Sequence, residues 1–143
     1  MRSTWDRTPV PPPTLLGVAA AVLAQHARPV RLPGWTRPVG WAVLCGGVTL
    51  MSAAVRERGP GSLEDPGALT TQGTHAWSRN PMYLGAIIAQ AGLAGTARNG
   101  WILAATPLSA ALLRRSVLRE EEWLHQRFGD RYDPYRAAVP RWF

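Results

Sequence analysis

The sequence predicts an all-α fold: a polytopic bundle of about four membrane helices followed by a cytoplasmic C-terminal helix. Three observations predict it. Four apolar runs are divided by segments rich in Arg, Pro and Gly, small residues recur four apart within the runs, and most of the seven Trp stand near run ends, where a membrane interface favours them. The mean hydropathy of −0.10 conceals the pattern, because the charges are crowded between the runs. At 143 residues, with no repeat of 20 to 50 residues, residues 1–143 form a single domain.

The first 13 residues are a polar lead-in that ends in Val10-Pro11-Pro12-Pro13 and should be extended. Thr14 to Ala27 is the first apolar run. Its length suits a signal-peptide core as well as a short span, but the tripled proline makes a poor secretory leader, so a retained helix is expected. Arg28 to Pro38, with three Arg, three Pro and Gly34, is a tight connection. Val39 to Val55 is uncharged throughout and is the best span, with Ala42 and Gly46 spaced to let a neighbouring helix approach closely.

Residues 56–80 have no period of 2 or 3.6 and form a long loop, of the kind that folds over a ligand. Met82 to Ala97 and Trp101 to Leu118 then make a helical hairpin about the turn Arg98-Asn99-Gly100. Gly85 with Ala89, and Ala91 with Gly95, repeat the small-residue spacing, and Pro107 is expected to kink the fourth helix. The polar segment 118–143 leaves the membrane. Arg56, Arg58, Arg114, Arg115 and Arg119 put the long loop and the C-terminus on the cytoplasmic side, although three Arg between the first two runs oppose that orientation.

Composition narrows the function. All sixteen basic residues are Arg, against nine acids, so the net charge of +7 calls for an acidic partner or an anionic surface. Zinc spacing, RNA-binding aromatic signatures and recognition-helix patterns are missing from the sequence, which argues against nucleic acid as the partner. Cys45 is the single cysteine and lies in an apolar run, so neither an internal disulfide nor a thiol-based metal cluster is expected.

Chemistry is concentrated in two places. At Ser78-Arg79-Asn80-Pro81-Met82-Tyr83-Leu84-Gly85 a polar loop turns into an apolar helix: Pro81 suits the first helical position and Asn80 the N-cap. The free amides and positive dipole end of such a helix attract an anion, and Arg79 adds a full charge. At 100° per residue, Leu113, Val117, Leu124 and Phe128 form one stripe, with Glu120 and Glu121 on the same side and Glu122 turned away. Two carboxylates on the apolar side of a helix need partners, for which a cofactor amine, ribose hydroxyls and Arg79 are candidates.

Taken together, Gly73, Arg79 to Gly85, Glu120-Glu121, Leu124, Phe128-Gly129, Tyr132, Tyr135 and Val139-Pro140-Arg141-Trp142 resemble the isoprenylcysteine carboxyl methyltransferase and phospholipid N-methyltransferase superfamily of small integral membrane enzymes, over roughly residues 14–143. The resemblance implies a helix bundle whose cytoplasmic end binds S-adenosylmethionine, with a lipophilic or small thiol, hydroxyl, carboxyl or amine acceptor and membrane lipid as partners. By position it assigns Leu69, Thr70, His75, Asn80, Pro81, Met82, Tyr83 and Glu120 to the cofactor, with Glu121 and Arg79 as catalytic candidates. Glu121 could instead anchor the loop through Arg79. An integral protein of a bacterial inner membrane is implied. Relatives usually carry Tyr where His75 stands and a small residue or Pro at Thr74, and Ser116 stands where some place a substrate-binding Arg. The alternative function is a non-catalytic membrane protein that keeps the fold to bind a lipid or partner.

Overall fold

The computed structural model describes residues 11–59, 61–62, 65–66 and 68–143. Most of the polar lead-in therefore lies outside the described residues. Helix α1 (Pro12–Ala27) begins inside the proline run rather than after it, because a proline in the first turn gives up an N–H that has no helical acceptor anyway. Thr14 closes that turn, its Oγ1 donating to the Pro11 carbonyl at 2.7 Å. Helix α2 (Thr36–Glu57) spans 22 residues, and α3 (Pro81–Ala97) and α4 (Gly100–Phe128) follow as the expected hairpin. A short helix α5 (Tyr132–Ala138) completes the chain. The long loop holds a two-residue antiparallel ribbon, β1 (Gly61–Ser62) with β2 (Asp65–Pro66), and a 3-10 turn at Gly73–Ala76.

The fourth apolar run and the C-terminal helix are one element. Helix α4 continues through Pro107 for 29 residues, and the stripe of Leu113 and Val117, both fully buried, carries it without interruption toward Glu121. At 1.5 Å per residue this is about 43 Å, longer than a hydrocarbon core of about 30 Å, so its last turns must project beyond one.

Helices α2 and α3 pack most extensively, α4 packs beside α3, and α1 lies along α4. The α2–α3 seam is backbone against backbone. A Cβ at Gly47 would collide with the Ala89 amide and stand 2.7 Å from the Gly85 carbonyl oxygen, and one at Gly85 would stand 2.6 Å from the Met51 nitrogen. Gly85 and Ala89 thus serve as the spacing suggests, but Ala42 and Gly46 do not: Gly46 meets nothing within 4 Å. The buried small residues of α2 are Gly40, Gly47 and Ala54, seven apart, a repeat that keeps them on one side of a helix packed along its length.

Among the described residues one helix, α2, is long and apolar enough to cross a membrane, and only 17% of its apolar window is buried. A helix in a water-soluble core would be largely covered. Outward Leu16 and Leu23 on α1, Trp41 and Val48 on α2, and Leu108 and Leu112 on α4 extend the apolar exterior around the bundle. At one end Asn99 caps α4, accepting from the Trp101 and Ile102 amides, while the Arg98 backbone carbonyl and Nε hold Leu32 of the α1–α2 connection. The opposite end gathers the α2 C-terminus, the long loop, the α3 N-terminus and the charged part of α4.

Candidate functional site

Helix α3 starts at Pro81 with Asn80 in the N-cap position, as its sequence demands, yet the Asn80 side chain does not cap it. Its Nδ2 donates instead to Glu121 Oε1 at 3.0 Å and to the Arg141 carbonyl at 3.3 Å. A buried carboxylate needs donors more than a helix end that opens onto a recess needs a cap, and this takes the amide away from the amides behind it. The α3 N-terminus is left without a side-chain cap, with its positive dipole end directed into the site.

Glu121 is the centre of a buried polar knot. Arg141 reaches it twice, Nε to Oε1 and Nη2 to Oε2, both at 3.1 Å, and Arg79 Nη1 lies 3.5 Å from Oε2. The hydrogen bond to Glu121 is the main reason the Arg141 guanidinium is held above its ordinary range. The tail also grips the corner through its backbone: the Arg79 amide donates to the Pro140 carbonyl at 3.0 Å, and Ser78 Oγ to the Arg141 carbonyl at 3.1 Å. Tyr132 is fully buried beside this knot, and burial pushes its phenol upward.

Beside the knot opens a small recess with a cavity volume of about 40 Å³. Leu69, Thr70, His75, Arg79, Asn80, Pro81, Met82, Tyr83 and Glu120 all line it. Loop, α3 and α4 therefore converge at the same end of the bundle, with Tyr83 and Glu120 both in the lining of the recess. Glu121 is not in the lining; its oxygens face Asn80, Arg79 and Arg141.

The structure adds residues that sequence reasoning passed over. Arg58 lines the recess and pairs with Glu120 at 2.6 Å. Glu57, the last residue of α2, accepts from the Thr74 amide at 2.9 Å, from Thr74 Oγ1 at 2.6 Å and from His75 Nδ1 at 3.1 Å. Tyr135 of α5 donates its hydroxyl to the His75 carbonyl at 2.7 Å. Position alone gives no signal for Glu57 or Arg58, since an acid and a base ending a span read as solvated flank. For Arg141 and Tyr135 the signal was the C-terminal motif that contains them.

His75 is thus clamped from both sides, and its burial holds the imidazole below its ordinary range despite the neighbouring Glu57. The donor set of the recess is mixed. Arg79 Nε is buried without a hydrogen-bond partner and Nη1 has only the Glu121 carboxylate at 3.5 Å, so the guanidinium keeps donor capacity for an anionic group, while Glu120 fits an amine or hydroxyls.

The bundle thus has an apolar exterior, and the recess at the mouth of α3 is lined by apolar as well as charged side chains. The family model for phospholipid methyltransferase matches residues 39–131, well over half of the chain, and the chain belongs to that family of membrane methyltransferases. The matched span takes in most of α2, the long loop, α3 and α4, and so the corner and the acidic pair together. No individual curated protein is significantly similar to the chain.

Proposed function

We propose that this protein is an integral membrane methyltransferase that takes its methyl group from S-adenosylmethionine and passes it to a lipophilic or small thiol, hydroxyl, carboxyl or amine acceptor. The observation that carries the reading is the convergence, around one recess, of an uncapped helix N-terminus, a buried guanidinium whose Nε has no hydrogen-bond partner, and the Glu120 carboxylate. Those groups match the two ends of such a cofactor: an amino-acid carboxylate for the helix mouth and Arg79, and ribose hydroxyls or an amine for Glu120. Leu69, Thr70, His75 and Asn80 to Tyr83 form the remaining walls. When bound, the cofactor supplies a methyl group already activated on a sulfonium sulfur. The protein's task is then to align the partners and exclude water, and orientation of this kind can supply about 7 to 11 kcal/mol of the barrier.

Glu121 takes a positioning role in this reading. With Asn80, Arg79 and Arg141 around it, it fixes the corner and the tail rather than meeting a substrate. All four long helices cross the membrane, α1 and α3 tilted or in a thinned bilayer because 16 and 17 residues fall short of the usual span of about 20. The recess faces the cytoplasm of a bacterial cell, beside Arg56, Arg58, Arg114, Arg115 and Arg119.

The 2.6 Å pair between Arg58 and Glu120 favours the alternative, a non-catalytic lipid- or partner-binding protein in which that pair simply closes the fold. Binding of labelled S-adenosylmethionine to the purified protein in detergent separates the two. Saturable binding that Glu120→Ala and Asn80→Ala each weaken supports the enzyme; no binding, or binding indifferent to both changes, rejects it.

A further inference from the structure

His75 is a lone histidine in a loop by sequence, but the fold gives it the surroundings of a proton acceptor. Its Nδ1 faces Glu57 Oε2 at 3.1 Å, and Glu57 is itself fixed by the Thr74 amide and hydroxyl. The Tyr135 hydroxyl holds the His75 carbonyl at 2.7 Å, so neither the ring's partner nor its backbone is free to turn. The ring is buried and lines the recess, and among the described residues Nε2 has no hydrogen bond. A carboxylate at Nδ1 fixes the proton there and leaves a lone pair on Nε2.

We propose that Glu57 and His75 form a carboxylate–imidazole dyad in which His75 Nε2 is the general base for methyl transfer and Glu57 is its positioning residue. The proposal rests on the methyltransferase reading above. An acceptor N–H, S–H or O–H loses its proton to Nε2 as its lone pair forms a bond to the methyl carbon. The carbon–sulfur bond breaks with its electron pair remaining on sulfur, which becomes a neutral thioether. The resulting imidazolium faces Glu57, which stabilises it, and it returns the proton to solvent at the mouth of the recess.

The charged groups that act on the imidazole are Glu57 at the end of α2, Arg58 directly after it and Glu120 from α4, while Arg79, Tyr83 from α3 and Tyr135 from α5 share the recess lining with it. Burial dominates among them and keeps the ring neutral near pH 7, the state a base needs. Arg58 pushes the same way, while both carboxylates oppose it.

The test reads the ring itself rather than turnover. Protein labelled with ¹⁵N-histidine in detergent is titrated by NMR with S-adenosylmethionine or with S-adenosylhomocysteine, two ligands that differ by a methyl group and a positive charge at the reacting sulfur. His26 and His125 serve as internal references. The expected result is a His75 ring with its proton on Nδ1 at pH 7, titrating about one pH unit lower with the sulfonium ligand than with the thioether, because the charge faces Nε2. In Glu57→Gln the Nδ1 tautomer preference should be lost while both ligands still bind. A proton on Nε2, or identical titration with both ligands bound, overturns the dyad and leaves the cofactor reading standing. If neither ligand binds, the cofactor reading fails and the dyad with it.

Discussion

Adjacent carboxylates on α4 have opposite fates, and the difference is one of direction on the helix. Glu121 points into the knot with its side chain 7% exposed, where Asn80 and two arginines consume it. Glu121→Gln removes one member of a buried charge network and leaves Arg79 uncompensated, so we expect a loss of about 3 kcal/mol, read as a fall in thermal midpoint in detergent. Glu120→Gln, in the recess lining, should change the midpoint far less and abolish cofactor binding. Equal destabilisation by the two would contradict this division. His75 adds a pH dependence whose sign follows from burial. The folded imidazole takes up its proton at lower pH than in the unfolded chain, so below roughly 6.5 the unfolded state binds more protons. Stability is therefore full above that pH and declines as pH falls toward the folded value; melting curves from pH 7.5 to about 5 should show a decline in the parent that His75→Gln reduces.

At the scale of the helices, the seam between α2 and α3 sets how Glu57 and Arg58 meet the loop and α4. Gly47→Leu must push the Ala89 and Gly85 backbone away, whereas Gly46→Leu meets open space. Overpacking costs about 1–3 kcal/mol or more when only backbone can yield, against about 0.5 kcal/mol for a surface change. Gly47→Leu should lower the thermal midpoint and weaken cofactor binding together; Gly46→Leu should do neither. This pair also shows what the sequence could and could not reveal. The helices, the Arg98-Asn99-Gly100 turn and the inward Glu120 and Glu121 were legible because apolar runs, turn residues and a helical wheel are local signals. The seam was not, since several glycine and alanine spacings are equally small and only packing selects Gly40, Gly47 and Ala54 over Ala42 and Gly46. Asn80 was placed correctly at the α3 start but not aimed correctly, because the Glu121 that draws its amide is 41 residues away. Glu57 and Arg58 were missed for the same reason: their partners Thr74, His75 and Glu120 become neighbours only when α2, the loop and α4 converge.

For the molecule as a whole, charge alone does not orient the bundle. The recess end carries Arg56, Arg58 and the α4 arginines, but the other end gathers Arg28, Arg31, Arg37 and Arg98. Tryptophans mark both ends as well, with Trp77, 82% exposed, at the recess and Trp35, 69% exposed, at the far side. Two aromatic belts separated by the length of α2, about 33 Å, fit a spanning protein better than one lying on a surface. Accessibility to a membrane-impermeant maleimide turns this into a measurement. On the proposed spanning arrangement Cys45, which faces outward near the middle of α2, should be inert in intact cells and in inverted vesicles alike, because lipid would cover it. With Cys45→Ala as background, Thr71→Cys in the loop and Gln126→Cys on α4 should label only in inverted vesicles, and Gly34→Cys between α1 and α2 only in intact cells. The opposite pattern would keep the spans but place the recess on the outer face, against the proposed use of a cytoplasmic cofactor. Labelling of all three from one side would show that the bundle does not span, and would remove the bilayer as the route by which a lipophilic acceptor reaches the recess.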